Sequence, residues 1–269
     1  MQNIDPVLFA QPILVIAMSV GAIWFWWRSR GFRGILLGLS AVAYAAAIAA
    51  KYTIQILTLA PVVAYFGRMS LGLGLYYGLQ TVLLEVGFAY LLAFYGARRR
   101  NLKVSDSVPF GLSLAFWENG VLLGLLSLLN LSVLYLLLGS GTGDAQVVYN
   151  QLVSTTPYLF LPPLNLLPSV LIGALERVSS MLAHVAWGVL CVIAAATGNR
   201  RFFYAALPMG LIDALVPFAS LDTNVFEAVV FLLSCGFLVV AYSATLSVSR
   251  GGAIQSEPVQ PAIAPASKD

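Results

Sequence analysis

Charged residues are scarce in this 269-residue sequence, at only 9% of the chain, and it has a single histidine and two cysteines. Hydrophobic residues make up 60%, and the mean hydropathy of +0.89 is far above that of soluble domains. So little charge excludes a soluble enzyme and a nucleic-acid-binding protein. Two cysteines, both inside apolar runs, exclude a disulfide scaffold and a CxxC metal site. The composition predicts an integral membrane protein.

Seven apolar runs are long enough to cross a bilayer, which takes about 20 helical residues. We place them near 7–27, 34–60, 71–97, 109–138, 169–197, 202–219 and 224–246. The fourth run is longer than one crossing needs, and we expect a kink around Asn130.

Between the fourth and fifth runs the chain is rich in proline, which predicts a short interfacial helix and an irregular connection. These prolines are Pro157, Pro162, Pro163 and Pro168. We therefore expect an all-α polytopic membrane bundle of about seven transmembrane helices over residues 1–248. A disordered cytoplasmic tail, rich in Pro, Ala and Ser, is predicted over residues 249–269.

Basic residues collect on one side of the predicted membrane. That side receives Arg28, Arg30, Arg33, Arg98, Arg99, Arg100, Lys103, Arg200, Arg201, Arg250 and Lys268. The other side receives Arg68 alone, and Lys51 and Arg177 fall inside spans. Because cytoplasmic loops of membrane proteins are enriched in Lys and Arg, this split predicts an outside amino terminus and an inside carboxyl terminus in the cytoplasmic (plasma) membrane.

Ionisable side chains inside the spans are the strongest indication of function, because charge is costly in hydrocarbon and usually marks a polar interior. The candidates are Glu85, Glu118, Glu176, Arg177, His184 and Asp213. Glu176, Ser180 and His184 follow at four-residue steps, which predicts one polar helix face. Glu227 lies near the outer end of the last run, where we expect an interfacial position.

Several kinds of chemistry are open to this set of residues. Two carboxylates sharing a buried site can act as base and acid toward water, which describes a hydrolase. Zinc bound by His184 and two carboxylates is an alternative, although no HExxH spacing occurs. A proton or cation relay and purely structural contacts between helices are the other two interpretations.

Four segments resemble the motifs of one membrane-protein family. Gly173 to His184 resembles the Glu-Arg-x6-His helix of the YhfC family, glutamic-type intramembrane proteases related to PrsW and the CAAX-processing superfamily. Leu84-Glu85 resembles its Glu-Glu-x-x-Arg motif, and Met209 to Asp213 its His-x-x-x-Asp motif. Gly111 to Gly120, with Glu118-Asn119, resembles the glycine-rich segment that ends in Glu-Ala or Glu-Asn. The resemblance covers about half of the chain, from the third to the sixth span.

The chain departs from the family pattern at four positions. Leu84 replaces a second Glu and Phe88 an Arg, while Leu114 and Met209 each replace a His. This identifies a divergent member in which part of the family's proton-transfer machinery is missing.

The resemblance implies roles for the ionisable residues that remain. Glu118 or Glu85 would be the general base, and Glu176 and His184 would position water or stabilise the oxyanion. Arg177 would hold Glu176 in register, and Asp213 would orient His184. Pro208 would kink the sixth span and open a lateral entry.

The function expected from these observations is that of an intramembrane peptidase acting on membrane-embedded protein or peptide substrates. The bilayer is its medium, and no nucleic acid is expected as a partner. A glutamate mechanism requires no cofactor, and the requirement for zinc stays open. The alternatives are a proton- or ion-coupled transporter of small solutes and a non-catalytic membrane scaffold.

Overall fold

The computed structural model describes residues 3–255, with side chains described as far as residue 250, and this part of the chain contains helices and no strand. Eight helices follow in order: α1 Pro6–Arg30, α2 Gly34–Phe66, α3 Leu71–Arg100, α4 Val104–Gly139, α5 Gly143–Thr155, α6 Pro163–Thr197, α7 Arg201–Phe218 and α8 Thr223–Gln255. All except α5 are long and apolar enough to cross a membrane. The protein is a multi-pass, all-α membrane bundle, as predicted.

Helix boundaries coincide with local capping signals. Ser70 Oγ accepts a hydrogen bond from the amide of Leu73 at the start of α3, and Thr142 Oγ1 accepts one from Ala145 in α5. Gly198, with φ of +72°, ends α6 in the left-handed conformation that glycine adopts without strain. The sequence signals at these ends thus agree with the fold.

The expected irregular connection before the fifth span is shorter than predicted. A single 3₁₀ turn, Pro157–Phe160, follows α5, and α6 already begins at Pro163. Pro163 occupies the first helical position, where no amide hydrogen bond is needed, and Pro168 lies in the second turn. A proline so near the start interrupts few helical bonds, so it does not break the helix.

The carboxyl-terminal boundary also differs from the predicted tail. Helix α8 extends to Gln255, past the expected start of the tail at residue 249. The remainder of that tail lies outside the described residues.

Helix α6 lies at the centre of the bundle. In its most hydrophobic stretch 72% of the residues are buried, against 11–39% in the other six candidate spans. An unbroken run from Ala183 to Ala194 is buried within the protein, and His184 belongs to this run. A polar side chain within this run, such as that of His184, is therefore enclosed by the neighbouring helices and is kept away from lipid.

Glycine allows the closest helix contacts. A Cβ atom added to Gly111 of α4 would lie 2.6 Å from the carbonyl oxygen of Val185 in α6. One added to Gly188 of α6 would lie 2.6 Å from the Cα of Gly111. Helices α3 and α7 meet in the same way, with Gly74 against the backbone of Ala214. Small residues let membrane helices approach until their backbones touch.

The basic loops meet at one end of the bundle, as the alternating topology requires. Arg33, between α1 and α2, donates to the carbonyl oxygens of Arg100 and Asn101 at the end of α3. It also forms an ion pair of 2.8 Å with Asp106 at the start of α4. At the opposite end, Asn3 donates to the carbonyl oxygen of Tyr135.

Three spans depart from α-helical geometry, and each departure contains one of the acidic candidates. Residues Thr81–Val86 of α3, which include Glu85, and Phe116–Leu125 of α4, which include Glu118, form π-helix. Residues Leu207–Phe218 of α7, which include Asp213, form 3₁₀-helix. Such segments are frequent at functional sites. The kink expected at Asn130 is wrong, because that residue lies in a regular α-helical stretch.

The α4–α6 contact predicts that Gly111→Val destabilises the protein, because the added carbons collide with the α6 backbone. We expect a loss of about 1–3 kcal/mol, the usual cost of overpacking, and a lower melting temperature of the purified protein in detergent. The matched control is Gly21→Val, since a Cβ at Gly21 would meet nothing within 4 Å. Equal melting temperatures for the two variants would contradict the close contact.

Candidate active site

Lys51 of α2 is the centre of a buried ionic cluster. Its ammonium nitrogen Nζ lies 2.7 Å from Glu85 Oε1 and 3.0 Å from Asp213 Oδ2, and it donates to Thr81 Oγ1 at 2.8 Å. The Thr81 hydroxyl also donates to Asp213. One cation thus joins carboxylates from α3 and α7 to α2. An unpaired charge is strongly destabilising in an interior of low dielectric, so the ammonium and the two carboxylates stabilise one another.

His184 of α6 faces two carboxylates. Its Nε2 lies 2.8 Å from Glu118 Oε2 and 3.3 Å from Glu85 Oε2. Glu118 is also held by Ser180, whose hydroxyl donates to Oε2 at 3.0 Å. The side-chain amide nitrogen Nδ2 of Asn119 donates a hydrogen bond to Oγ of the same serine at 3.3 Å. Residues from α3, α4 and α6 therefore converge on one imidazole.

The hydrogen bonds of His184 indicate where its protons lie. Nδ1 is 2.9 Å from the carbonyl oxygen of Ser180, which can only accept, so Nδ1 carries a proton. Neither carboxylate contact at Nε2 has hydrogen-bond geometry, although that atom is buried. An Nε2 lone pair facing two carboxylates would be repelled. A second proton, on Nε2, would remove this repulsion, because the imidazolium would place positive charge beside the two carboxylates.

The cluster borders a cavity of about 370 Å³ inside the bundle. This cavity is lined by all six predicted site residues: Glu85, Glu118, Glu176, Arg177, His184 and Asp213. Its lining also includes Lys51, Ser180, Tyr44 and Trp187. The ring of Trp187 lies 4.2 Å from that of His184, between centroids. An apolar wall on one side of the imidazole and carboxylates on the other hold it in one orientation.

The predicted residues do not all make the expected contacts. Asp213 bonds to Lys51 and Thr81, whereas the polar contacts of His184 in the described structure are with Glu85, Glu118 and Ser180. Arg177 does contact Glu176, as the sequence suggested. Glu227, which lies about one turn after the start of α8, is only 4% exposed and is therefore covered by the neighbouring helices.

Lys51 is the functional residue that the sequence reasoning missed. Charge balance could have found it, because the predicted spans carry five acids but only two cations besides the histidine, Lys51 and Arg177. The five acids are Glu85, Glu118, Glu176, Asp213 and Glu227. Since buried carboxylates require positive charge nearby, a lone lysine in a neighbouring span is the expected partner.

Fold and site together define a polytopic membrane protein with acids and a histidine around an internal cavity. Residues 14–233 match the model of the YhfC intramembrane metalloprotease family. The chain belongs to this family, and the resemblance seen in the sequence motifs is confirmed. Comparisons with curated proteins and with solved structures gave no match.

The family's description implies a metal ion, which the motif analysis had left open. Among the described residues, no group of three or more His, Cys, Asp or Glu side chains is arranged to hold one. His184 Nε2, Glu118 and Glu85 Oε2 lie together, but the other oxygen of Glu85 is bound to the Lys51 ammonium, whose positive charge opposes a cation at the same carboxylate. Leu114 and Met209, where the motif resemblance implies histidines, provide no imidazole. The residues present do not complete a metal site.

The ionic cluster predicts that Lys51→Met strongly destabilises the protein, because Glu85 and Asp213 lose their shared counter-charge. Removing one partner from a buried ion pair costs about 3–5 kcal/mol. The double variant Lys51→Met with Asp213→Asn should recover part of this loss, since it removes a carboxylate together with the cation. The melting temperatures of the single and the double variant in detergent measure these changes in stability. A single variant as stable as the wild type would contradict the cluster.

Proposed function

We propose that this protein is an intramembrane peptidase that hydrolyses peptide bonds of membrane-embedded protein or peptide substrates. The observation that carries the proposal is the convergence of Glu118, Glu85 and His184 on one internal cavity. Membership of a protease family supports the same reaction class. The steps below use only side chains of this chain.

Glu118 is the proposed general base. Its carboxylate borders the cavity, and Ser180 and His184 both contact its Oε2, so the other oxygen, Oε1, is the proposed acceptor of the proton from water. In the proposed reaction, Glu118 takes a proton from water while the water oxygen attacks the scissile carbonyl carbon. The proton then passes to the departing amide nitrogen as the C–N bond breaks. The products are one carboxyl group and one amine, so the reaction balances.

Lys51 and His184 are proposed to keep the carboxylates in place during these steps. Lys51 binds Glu85 Oε1, and the other oxygen of Glu85 faces His184. In the proposed mechanism, a proton on His184 Nε2, beside Glu118, passes to the reacting atoms. Arg177, which lines the cavity and pairs with Glu176, is proposed to stabilise the negative oxygen of the tetrahedral intermediate.

Substrate entry is proposed between α2 and α7. Tyr52 and Val216 border the cavity and are also 66% and 48% exposed on the outside of the bundle. Pro208, where the sequence suggested a lateral entry, does not line this cavity. Pro208 is the second residue of the 3₁₀ segment of α7, so we propose that it contributes to the shape of that segment.

The peptidase proposal predicts that Glu118→Gln and His184→Gln abolish cleavage without unfolding the protein. Loss of a general base lowers the rate by about 10²- to 10⁴-fold. The measurement is cleavage of a panel of single-span peptides by the reconstituted protein, with Asp144→Asn, an exposed acid on α5, as the control. Thermal unfolding checks that each variant is folded.

A chelator provides a second arm of this experiment. Unchanged cleavage with chelator supports Glu118 as a base that acts without a metal. Cleavage that is lost with chelator and restored by added zinc contradicts that role but retains the peptidase. A folded wild type that cuts no peptide contradicts the peptidase proposal.

A proton or ion pathway is the second candidate. It is favoured by a chain of ionisable groups in continuous contact across five helices: Asp213, Lys51, Glu85, His184 and Glu118. The test is pH-dependent solute uptake into liposomes, which should be lost in the same Glu118→Gln variant. Uptake without cleavage would favour this function over the peptidase.

We also propose the plasma membrane, with the amino terminus outside and the carboxyl terminus inside, on the basis of the basic loops. In a variant with Cys191 and Cys235 replaced by Ala, an impermeant maleimide should label Ser140→Cys in intact cells. It should label Arg99→Cys only after permeabilisation, because that residue lies at the basic end. The reverse pattern would overturn the orientation.

A further inference from the structure

A second cavity, of about 450 Å³, lies between α3 and α7 at the basic end of the bundle, away from the candidate active site. Ala194 and Gly198 of α6 contribute to its lining. The other lining residues are aromatic, apolar or arginine: Tyr90, Leu91, Phe94, Arg98, Arg200, Phe203 and Tyr204. None of these residues has a role in the proposed peptidase.

The two ends of this cavity differ in chemistry. Tyr90, Phe94 and Arg98 follow at four-residue steps on α3, so they line one helix face from the membrane interior toward its surface. Tyr90 stacks on Phe203 of α7 with ring centroids 4.1 Å apart, and these rings form the inner wall. The mouth carries the two guanidinium groups.

The two arginines at the mouth of the cavity, Arg98 and Arg200, can bind an anion. The Arg98 guanidinium lies over the ring of Phe94, 4.8 Å from its centroid. Arg200 lies in the short connection between the end of α6 and the start of α7. None of the ion pairs among the described residues involves either arginine. Both positive charges are therefore available to a ligand.

One side of the cavity is apolar and open to lipid. Its lining residues Leu91 and Tyr204 are 57% and 59% exposed, so they can contact the surrounding acyl chains. A ligand that matches both ends needs a phosphate near the membrane surface and a hydrocarbon chain directed into the bilayer.

We propose that this cavity binds an anionic phospholipid, with the headgroup phosphate between Arg98 and Arg200 and an acyl chain along Leu91 and Tyr204. Arginine suits this role because its planar fork of donors matches phosphate oxygens. The negatively charged lipids of a cytoplasmic leaflet are the source, since the cavity opens at the basic end. The site is independent of whether the protein cleaves peptides.

The test is native mass spectrometry of the purified full chain in neutral detergent, titrated with phosphatidylglycerol or phosphatidylcholine. We expect the wild type to retain phosphatidylglycerol preferentially. The variant Arg98→Gln with Arg200→Gln should bind it about tenfold or more weakly, since each arginine lost from the cavity removes charge-assisted hydrogen bonds to the phosphate. The matched control, Arg99→Gln with Arg100→Gln, removes the same charge at the same end and should bind as the wild type does.

Three outcomes would overturn the proposal. Equal weakening in both double variants would mean diffuse attraction by the basic end, without a site. Equal retention of phosphatidylcholine would remove the anionic requirement. Displacement of the lipid by inorganic phosphate or glycerol 3-phosphate at equal concentration would assign the arginines to a free anion. Melting temperatures of both variants, expected to match the wild type because all four arginines are exposed, exclude unfolding as the cause.

Discussion

The Lys51 ammonium, held between Glu85 and Asp213, is the interaction on which the interior of this bundle depends. Inside a membrane-spanning bundle, an unpaired charge costs several kcal/mol, so acids on α3 and α7 can be buried only with a cation beside them. That pairing ties α2 to both helices. It also leaves Glu85 Oε2 facing His184, which links the ionic cluster to the central helix.

Irregular helix geometry places these acids. In a regular α-helix, side chains repeat every 3.6 residues, whereas π and 3₁₀ segments change the spacing and so redirect the side chains that follow. Glu85 and Glu118 lie in π segments and Asp213 in a 3₁₀ segment. Tight packing of α3 against α7 and of α4 against α6, through Gly74 and Gly111, brings these segments close to α6. Local irregularity and close backbone contact together form the site.

The charges of the cluster also explain how this chain differs from its family's description. Leu114 and Met209, where the motif resemblance implies histidines, carry hydrocarbon and thioether side chains that are buried in the core. Lys51 supplies the positive charge beside Glu85. Glu118, Ser180 and His184 contact one another at the cavity.

The sequence by itself determined the membrane class, the seven spans, the basic residues that collect on one side, and six of the ionisable residues in the cavity. Each follows from composition or from helical spacing, which are local properties: Glu176, Ser180 and His184 line the same cavity because they are four residues apart on one helix. Partnerships between helices were not accessible in this way. That Lys51 and not His184 meets Asp213, and that Glu227 is buried, depends on how α2, α7 and α8 pack, and only the tertiary structure decides the distances between side chains that lie far apart in the chain.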